Sequence, residues 1–149
     1  MSYEYKPCSV RTLNILHVED DDNDAFFVER AVTSSRFQVC LRRVADGEDA
    51  LDYLNGVGRY ADRTQFPLPQ IMLLDLKLPL RDGFEVLAWA RQQPQFHDLP
   101  IVVLSSSSEP KDTARAEKLG ATGYVVKMIG FKNLISQISK FLDAQETNP

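Results

Sequence analysis

A run of carboxylates follows the first apolar stretch of the chain. In ILHVEDDDND, residues 15–24, the apolar residues give way to five acids: Glu19, Asp20, Asp21, Asp22 and Asp24. Carboxylates this close together repel one another, so each raises the cost of ionising its neighbours. Oxygen ligands suit hard divalent cations, and above all Mg²⁺. We therefore interpret Glu19 and Asp20 as candidate metal ligands, and the other three acids as solvated or capping residues at the start of a helix.

Three further polar residues stand at the ends of apolar runs elsewhere in the chain. Asp75 lies near the end of IMLLDL, Ser105 ends PIVVLS and Lys127 ends GYVVK. An aspartate beside a divalent cation can attack phosphorus and form an aspartyl phosphate. Phosphoryl transfer requires that the transferred oxygens be positioned and neutralised, and a lysine ammonium and a serine hydroxyl can contribute to both. These residue types indicate phosphoryl chemistry if the fold brings them together.

Five short apolar runs alternate with five helical patterns along the chain. The runs are typical of buried strands and cover residues 13–18, 37–44, 71–76, 100–105 and 123–127. This alternation predicts an α/β fold with a doubly wound, five-stranded parallel sheet and helices on both faces. Ligands of such sheets bind beyond the carboxyl ends of the strands, which is where the acids, the hydroxyl and the amine fall. Residues 55–70 contain glycine and proline and are predicted to form an irregular loop.

Length and composition favour one globular domain. The chain has 149 residues, of which 44% are hydrophobic and 26% charged, and its net charge of −4 gives no reason to expect nucleic-acid binding. No apolar run is long enough to span a bilayer, and the first residues lack the apolar core of a signal peptide. We therefore expect a cytoplasmic location, with Cys8 and Cys40 as reduced thiols rather than a disulfide.

Four segments carry a resemblance to a known family. VED after the first strand, LLDLKLPLRDG around Asp75, VVLSS and GYVVK resemble the receiver domain of two-component response regulators. The spacing agrees with that family, since 55 residues separate Asp20 from Asp75, 30 separate Asp75 from Ser105, and 22 separate Ser105 from Lys127.

The resemblance implies a flavodoxin-like sheet with strand order 2-1-3-4-5 over residues 12–143. Residues 1–11 would then be an N-terminal extension and residues 144–149 a C-terminal tail. The loop at 55–70 and the absence of an output segment are similar to the single-domain regulators paired with bacterial phytochromes. A regulator of this kind signals through protein contacts, to a downstream target or a phosphotransfer protein. Homodimerisation through the last helix–strand–helix face is a further hypothesis.

The same resemblance implies a role for each acid. Asp75 would accept a phosphoryl group from the phosphohistidine of a sensor histidine kinase. The chain would then be a phosphoacceptor, which catalyses only its own phosphorylation and dephosphorylation, rather than an enzyme acting on other molecules. Glu19, Asp20 and Asp75 would hold Mg²⁺, or alternatively Mn²⁺, together with the backbone carbonyl of Lys77.

Roles for the other candidate residues also follow from the resemblance. Ser105 and Lys127 would contact the phosphoryl oxygens, and Tyr124 falls at the aromatic position that turns inward on activation in relatives. The chain departs from the family pattern after Lys127, where Met128 stands in place of the usual proline. A cis peptide bond that no proline follows costs ~2.5–4 kcal/mol, so we expect the Lys127–Met128 bond to be trans.

Three other functions share parts of this pattern. A haloacid-type phosphatase also uses a nucleophilic aspartate, but the motif of that family has a second aspartate two residues later, where this chain has Lys77. A flavodoxin needs a hydroxyl- and glycine-rich phosphate loop after the first strand, and the acids at 19–24 would repel the phosphate of FMN. The remaining alternative is a receiver-like docking module that works without phosphorylation, and Met128 keeps that alternative open.

Overall fold

The computed structural model describes residues 12–34, 37–127 and 131–146. Within these ranges the chain forms five strands, which are β1 (Leu13–Val18), β2 (Val39–Val44), β3 (Ile71–Asp75), β4 (Ile101–Ser105) and β5 (Gly123–Val126). They pair in parallel in the order β2-β1-β3-β4-β5. The predicted parallel sheet and its strand order 2-1-3-4-5 are therefore confirmed.

Five α-helices flank the sheet in the described part of the chain. They are α1 (Asp22–Thr33), α2 (Gly47–Asn55), α3 (Gly83–Gln92), α4 (Pro110–Lys118) and α5 (Phe131–Glu146). Apolar side chains of α1 and α5 pack on one face of the sheet, while those of α2, α3 and α4 pack on the other. The sheet is thus covered on both sides, as the strand–helix alternation predicts.

The central strands are continuous apolar runs because both of their faces are buried. Every residue of β3 and of β4 is buried, whereas four of the six residues of the edge strand β2 are only partly buried. Asp75 and Ser105 end these two central strands, so they are placed in the interior of the molecule rather than on its surface.

Helix starts bring three loops close to the carboxyl edge of the sheet. The side chains of Asp21, Asp46 and Asp82 each accept a hydrogen bond from the backbone N–H three residues later, which is the N-cap arrangement. A Cβ atom at Gly83, the first residue of α3, would overlap the carbonyl oxygen of Asp75. Only glycine allows α3 to begin this close to the end of β3.

The segment between α2 and β3 is more regular than its composition predicts. Gly56 ends α2 with a φ of +67°, as expected of a glycine stop, but a short 3₁₀ helix then covers Gly58–Ala61. Tyr60 and Phe66 are buried, and their rings lie 5.0 and 6.0 Å from that of Tyr53 in α2. The prediction of a wholly irregular loop is wrong because these aromatic side chains pack into the hydrophobic core on the face of the sheet that α2 and α3 cover.

The structure bears on one of the two cysteines. Cys40 is disulfide-bonded, so the expectation of a reduced thiol is wrong for this residue, because an argument from cellular compartment carries no information on geometry. Cys8 and the Lys127–Met128 peptide bond lie outside the described residues, and the trans bond stays a prediction. Across those described ranges, no helix is both long and apolar enough to cross a bilayer.

Candidate functional site

The carboxyl edge of the sheet brings together polar side chains that are far apart in sequence. Asp75 ends β3 and Ser105 ends β4, while Glu19 follows β1 and Lys127 follows β5. Glu19, Asp75 and Ser105 are buried, and the Lys127 side chain is 11% exposed. Because buried charged groups are costly unless they are paired, their contacts show what the site is built to hold.

The carboxylates of Glu19, Asp20 and Asp75 form one group, called the acid cluster below. Each offers one oxygen, and these oxygens all lie within 4.8 Å of one another. Asp20 is the exposed member, so the cluster opens to solvent on that side. The structure therefore brings together the three side chains predicted as metal ligands.

The Lys127 ammonium lies against the acid cluster. Its Nζ donates hydrogen bonds to Asp75 Oδ2 at 3.1 Å and to Asp24 Oδ2 at 3.0 Å. It also lies 2.6 Å from Glu19 Oε1. That contact is an ion pair without hydrogen-bond alignment, so Oε1 stays a buried acceptor with no hydrogen bond. Asp75 and Lys127 are therefore in direct contact, and their roles toward a phosphoryl group stay a prediction.

Burial and crowding shift the ionisation of this group. Burial, together with the neighbouring Asp75 carboxyl, raises the pKa of Glu19 to about 7, although Lys127 acts in the opposite direction. Burial by itself would lower the pKa of Lys127, but the adjacent carboxylates of Glu19, Asp24 and Asp75 raise that pKa above its ordinary value. Lys127 is therefore charged at neutral pH, and the Glu19 carboxyl gives up its proton less readily than an exposed glutamate does.

The donor set of the acid cluster fits a hard divalent cation. All of its candidate ligands are carboxylate oxygens, which Mg²⁺ and Mn²⁺ prefer. Glu19 Oε1 is buried, and the Lys127 ammonium that it contacts at 2.6 Å is shared with Asp24 and Asp75, so one positive charge faces several carboxylates. A divalent cation here would relieve the repulsion among the three acids.

An open cleft of about 480 Å³ adjoins the acid cluster, and Asp20, Lys77, Ser105 and Arg115 are among the residues that line it. The Lys77 N–H donates a hydrogen bond to Asp75 Oδ1 at 3.3 Å. The Lys77 peptide therefore lies beside the cluster, and the use of its carbonyl as a ligand stays a prediction.

Ser105 and Tyr124 are linked through the loop that follows β4. The Ser105 Oγ accepts a hydrogen bond from the Ser107 N–H at 3.1 Å, and the Tyr124 hydroxyl donates one to the Ser107 carbonyl at 2.9 Å. The Ser107 hydroxyl in turn donates to a carboxylate oxygen of Asp112 in α4 at 2.7 Å. A displacement of Ser105 would therefore reach both Tyr124 and the start of α4.

Asp24 is a residue of this site that the sequence interpretation missed. The acidic run predicts a solvated or capping residue, yet the Asp24 carboxylate bonds to Lys127, which lies 103 residues further along the chain. Asp21 does cap α1, and Asp22 is exposed and pairs with Arg43. No local pattern signals the Asp24 contact, because it depends on where α1 begins relative to the end of β5.

Comparison with known proteins agrees with this geometry. The family model for the response regulator receiver domain matches residues 15–139. The chain belongs to the response regulator receiver family. The matched segment includes the acid cluster, Ser105 and Lys127, and the receiver domain predicted from the sequence resemblance is confirmed.

Relatives of this receiver domain include phytochrome-associated regulators. Response regulator Rcp1 of Synechocystis sp. is 34% identical over 138 residues, which are 93% of this chain and 89% of Rcp1. The crystal structure of the phosphorylated cyanobacterial phytochrome response regulator RcpA has a TM-score of 0.81 and 30% identity, and the match covers 93% of this chain and 96% of RcpA. The Mn²⁺-bound form of Rcp1 has a TM-score of 0.79 and 32% identity, covering 92% and 97%. The predicted similarity to regulators of this group is confirmed.

Proposed function

We propose that this receiver domain accepts a phosphoryl group on Asp75 from a sensor histidine kinase and passes the signal on through protein contacts. The observation that carries the proposal is the position of Asp75. Its carboxylate ends a wholly buried central strand and lies among Glu19, Asp20 and Lys127. The similarity to RcpA, whose structure is that of a phosphorylated protein, supports the proposal.

The proposed transfer is a displacement at phosphorus. A carboxylate oxygen of Asp75 attacks the phosphorus of the kinase phosphohistidine, and the new O–P bond forms as the P–N bond breaks. The electron pair of the broken bond stays on the imidazole nitrogen, which then takes a proton from solvent. Lys127, which already bonds to Asp75, would hold one transferred oxygen. The Ser105 hydroxyl would donate a hydrogen bond to a second transferred oxygen, after the hydrogen bond from the Ser107 N–H to Ser105 Oγ has broken.

Glu19, Asp20 and Asp75 would hold Mg²⁺ or Mn²⁺, with the backbone carbonyl of Lys77 as a further ligand. The oxygen-only donor set and the crowding of three carboxylates around one buried ammonium support this assignment, as does the Mn²⁺-bound structure of the relative Rcp1. When bound, the cation would neutralise negative charge on the oxygens of the transferring phosphoryl group.

Tyr124 and the loop after β4 would carry the change outwards. When Ser105 turns to the phosphoryl group, the Ser107 N–H would lose its acceptor. The Ser107 peptide, whose carbonyl accepts the hydrogen bond from the Tyr124 hydroxyl, would then be free to move. The Tyr124 ring could then turn inward. This movement would change the surface formed by α4, β5 and α5, through which we propose that the protein forms a homodimer or binds a downstream target or phosphotransfer protein.

The proposed phosphodonor is a phytochrome-type sensor histidine kinase, because the relative RcpA is a phytochrome response regulator. We assign residues 12–143 to the receiver domain, with 1–11 and 144–149 as flanking segments.

We also propose a cytoplasmic location without nucleic-acid or membrane partners, consistent with the net charge of −4. A disulfide at Cys40 would be unusual in that compartment, so the redox state of Cys40 in cells tests the location directly.

Phosphotransfer profiling tests the central proposal. The purified protein is incubated with Mg²⁺ and a panel of autophosphorylated histidine kinases, including phytochrome-type kinases, and an acyl phosphate is identified by its cleavage with hydroxylamine. We expect label on the wild type and on Asp52→Asn, a control at an exposed aspartate of α2, and none on Asp75→Asn. An acyl phosphate on Asp75→Asn would show that the assignment is wrong. A wild type that takes label neither from any kinase nor from acetyl phosphate would favour the phosphorylation-independent docking module.

A further inference from the structure

Asp24 lies outside the acid cluster but shares its ammonium. The Lys127 ammonium has three hydrogens to donate, and two of them have well-aligned acceptors, Asp24 Oδ2 at 3.0 Å and Asp75 Oδ2 at 3.1 Å. The third contact, to Glu19 at 2.6 Å, is an ion pair without hydrogen-bond alignment. Asp24 is therefore one of two side chains in the described ranges that accept an aligned hydrogen bond from Lys127.

A divalent cation in the acid cluster would weaken the other two contacts. Glu19 and Asp75 belong to the proposed ligand set, so their oxygens would turn to the cation, and the cation would repel the ammonium. A lysine that loses its partners regains the rotamer freedom of a four-carbon stem. Without another anchor, the ammonium would leave the place beside Asp75 where the phosphoryl group arrives.

Asp24 has the position that such an anchor requires. Its carboxylate is not one of the oxygens grouped in the acid cluster. The side chain of Asp21 accepts a hydrogen bond from the Asp24 N–H at 2.9 Å, which fixes the backbone of the first turn of α1. The Asp24 carboxylate therefore reaches Lys127 from a capped helix rather than from a loop, and groups on regular elements are held more accurately.

We propose that Asp24 is a positioning residue, which keeps the Lys127 ammonium beside Asp75 while a divalent cation occupies the acid cluster. The inference rests on the proposed phosphoacceptor function and deepens it. Asp24 contacts neither the cation nor the phosphoryl group and acts through Lys127. Asp24→Ala should therefore slow the phosphorylation of Asp75 by acetyl phosphate about tenfold, the change expected from losing one charge-assisted hydrogen bond.

Asp22 provides a matched control on the same helix. It lies in the same first turn of α1 as Asp24 and carries the same charge near the helix N-terminus, but its partner is Arg43 at 2.9 Å and its side chain is 92% exposed. Asp22→Ala therefore reproduces the loss of charge and the change in helix-dipole interaction without touching Lys127. A rate effect confined to Asp24→Ala would be due to the contact with Lys127.

NMR detection of lysine ammonium groups tests the anchor without measuring activity. The Lys127 ammonium should give a signal protected from exchange in the metal-free wild type and keep it when Mg²⁺ is added. The binding of Mg²⁺ is monitored separately by the chemical shifts of Asp20. In Asp24→Ala the signal should disappear on adding Mg²⁺, whereas in Asp22→Ala it should remain.

A signal that Mg²⁺ abolishes in the wild type, or that persists in Asp24→Ala with Mg²⁺ bound, would overturn this inference but not the proposed function. A wild type whose Asp20 does not respond to Mg²⁺ would overturn the proposed metal seat as well. Equal phosphorylation rates in the two alanine variants would likewise refute a positioning role for Asp24.

Discussion

Replacing Lys127 with methionine should destabilise the metal-free protein. The substitution keeps an unbranched apolar stem but removes an ammonium that is 11% exposed and lies 2.6, 3.0 and 3.1 Å from three carboxylate oxygens. At ~3 Å and an effective dielectric constant of about 20, each pair contributes ~5 kcal/mol before desolvation is subtracted. Breaking a buried pair costs ~3–5 kcal/mol after that subtraction. We expect a loss near the lower end, ~3 kcal/mol, because Glu19, whose pKa is already about 7, can take up a proton and cancel one of the stranded charges.

Urea unfolding in EDTA measures this loss, which corresponds to a fall in the melting temperature of ~6–12 °C for a domain of this size. Lys111→Met is the control, because Lys111 is 80% exposed and pairs at 3.2 Å with Glu109 on the surface, so its removal should change stability little. Saturating Mg²⁺ should restore most of the stability of Lys127→Met, since a ligand that binds only the folded state stabilises it.

Two results would refute this reasoning at different points. Equal losses for Lys127→Met and Lys111→Met in EDTA would mean that the buried ammonium does not compensate the acid cluster. A deficit of Lys127→Met that Mg²⁺ leaves unchanged would mean that the cation does not bind among these carboxylates.

Three further predictions concern neighbouring residues. Asp20→Ala should make the melting temperature less dependent on millimolar Mg²⁺ than in the wild type, because one candidate ligand and one repelling charge are removed together; an unchanged wild-type melting temperature on adding Mg²⁺ would count against the metal seat. Burial, helped by nearby positive charges, lowers the pKa of His17 from 6.5 to about 3, so the unfolded chain binds a proton there that the folded protein does not. The free energy of unfolding should therefore fall as the pH drops from about 6.5 towards 3, and pH-dependent urea unfolding of His17→Phe should lack that contribution. Gly83→Ala should lower the free energy of unfolding by roughly 1–3 kcal/mol in urea and slow labelling of Asp75, because the new methyl group would press on the Asp75 carbonyl.

The fold could be predicted because its signals are local. The sequences of β3 and β4 are apolar runs up to their last residue, an aspartate caps the start of α1, α2 and α3, and a glycine ends α2. The region between α2 and β3 could not be predicted in the same way. Its glycines and prolines correctly indicate turns, but the burial of Tyr60 and Phe66 depends on contact with Tyr53, which no turn signal encodes.

The candidate site divides along the same line. Asp75, Ser105 and Lys127 were predictable as neighbours because the carboxyl ends of parallel strands meet at one edge of the sheet. Side-chain direction was not predictable. The sequence places Asp24 at a helix start, where capping and solvation are the usual roles, and only the packing of α1 beside the end of β5 turns its carboxylate to Lys127.

The charges around Asp75 explain why a single ammonium is not sufficient for the proposed reaction. In the metal-free protein the acid cluster and Asp24 face Lys127, and burial together with the neighbouring Asp75 carboxyl raises the pKa of Glu19 to about 7. A phosphoryl group on Asp75 would replace one negative charge with nearly two, beside the same carboxylates. Lys127 cannot neutralise both the cluster and the phosphoryl oxygens. We infer that a divalent cation binds the carboxylates of the acid cluster while Lys127 contacts the phosphoryl group. Lys127 then requires another partner to keep it in position, and the Asp24 carboxylate lies where it can be that partner.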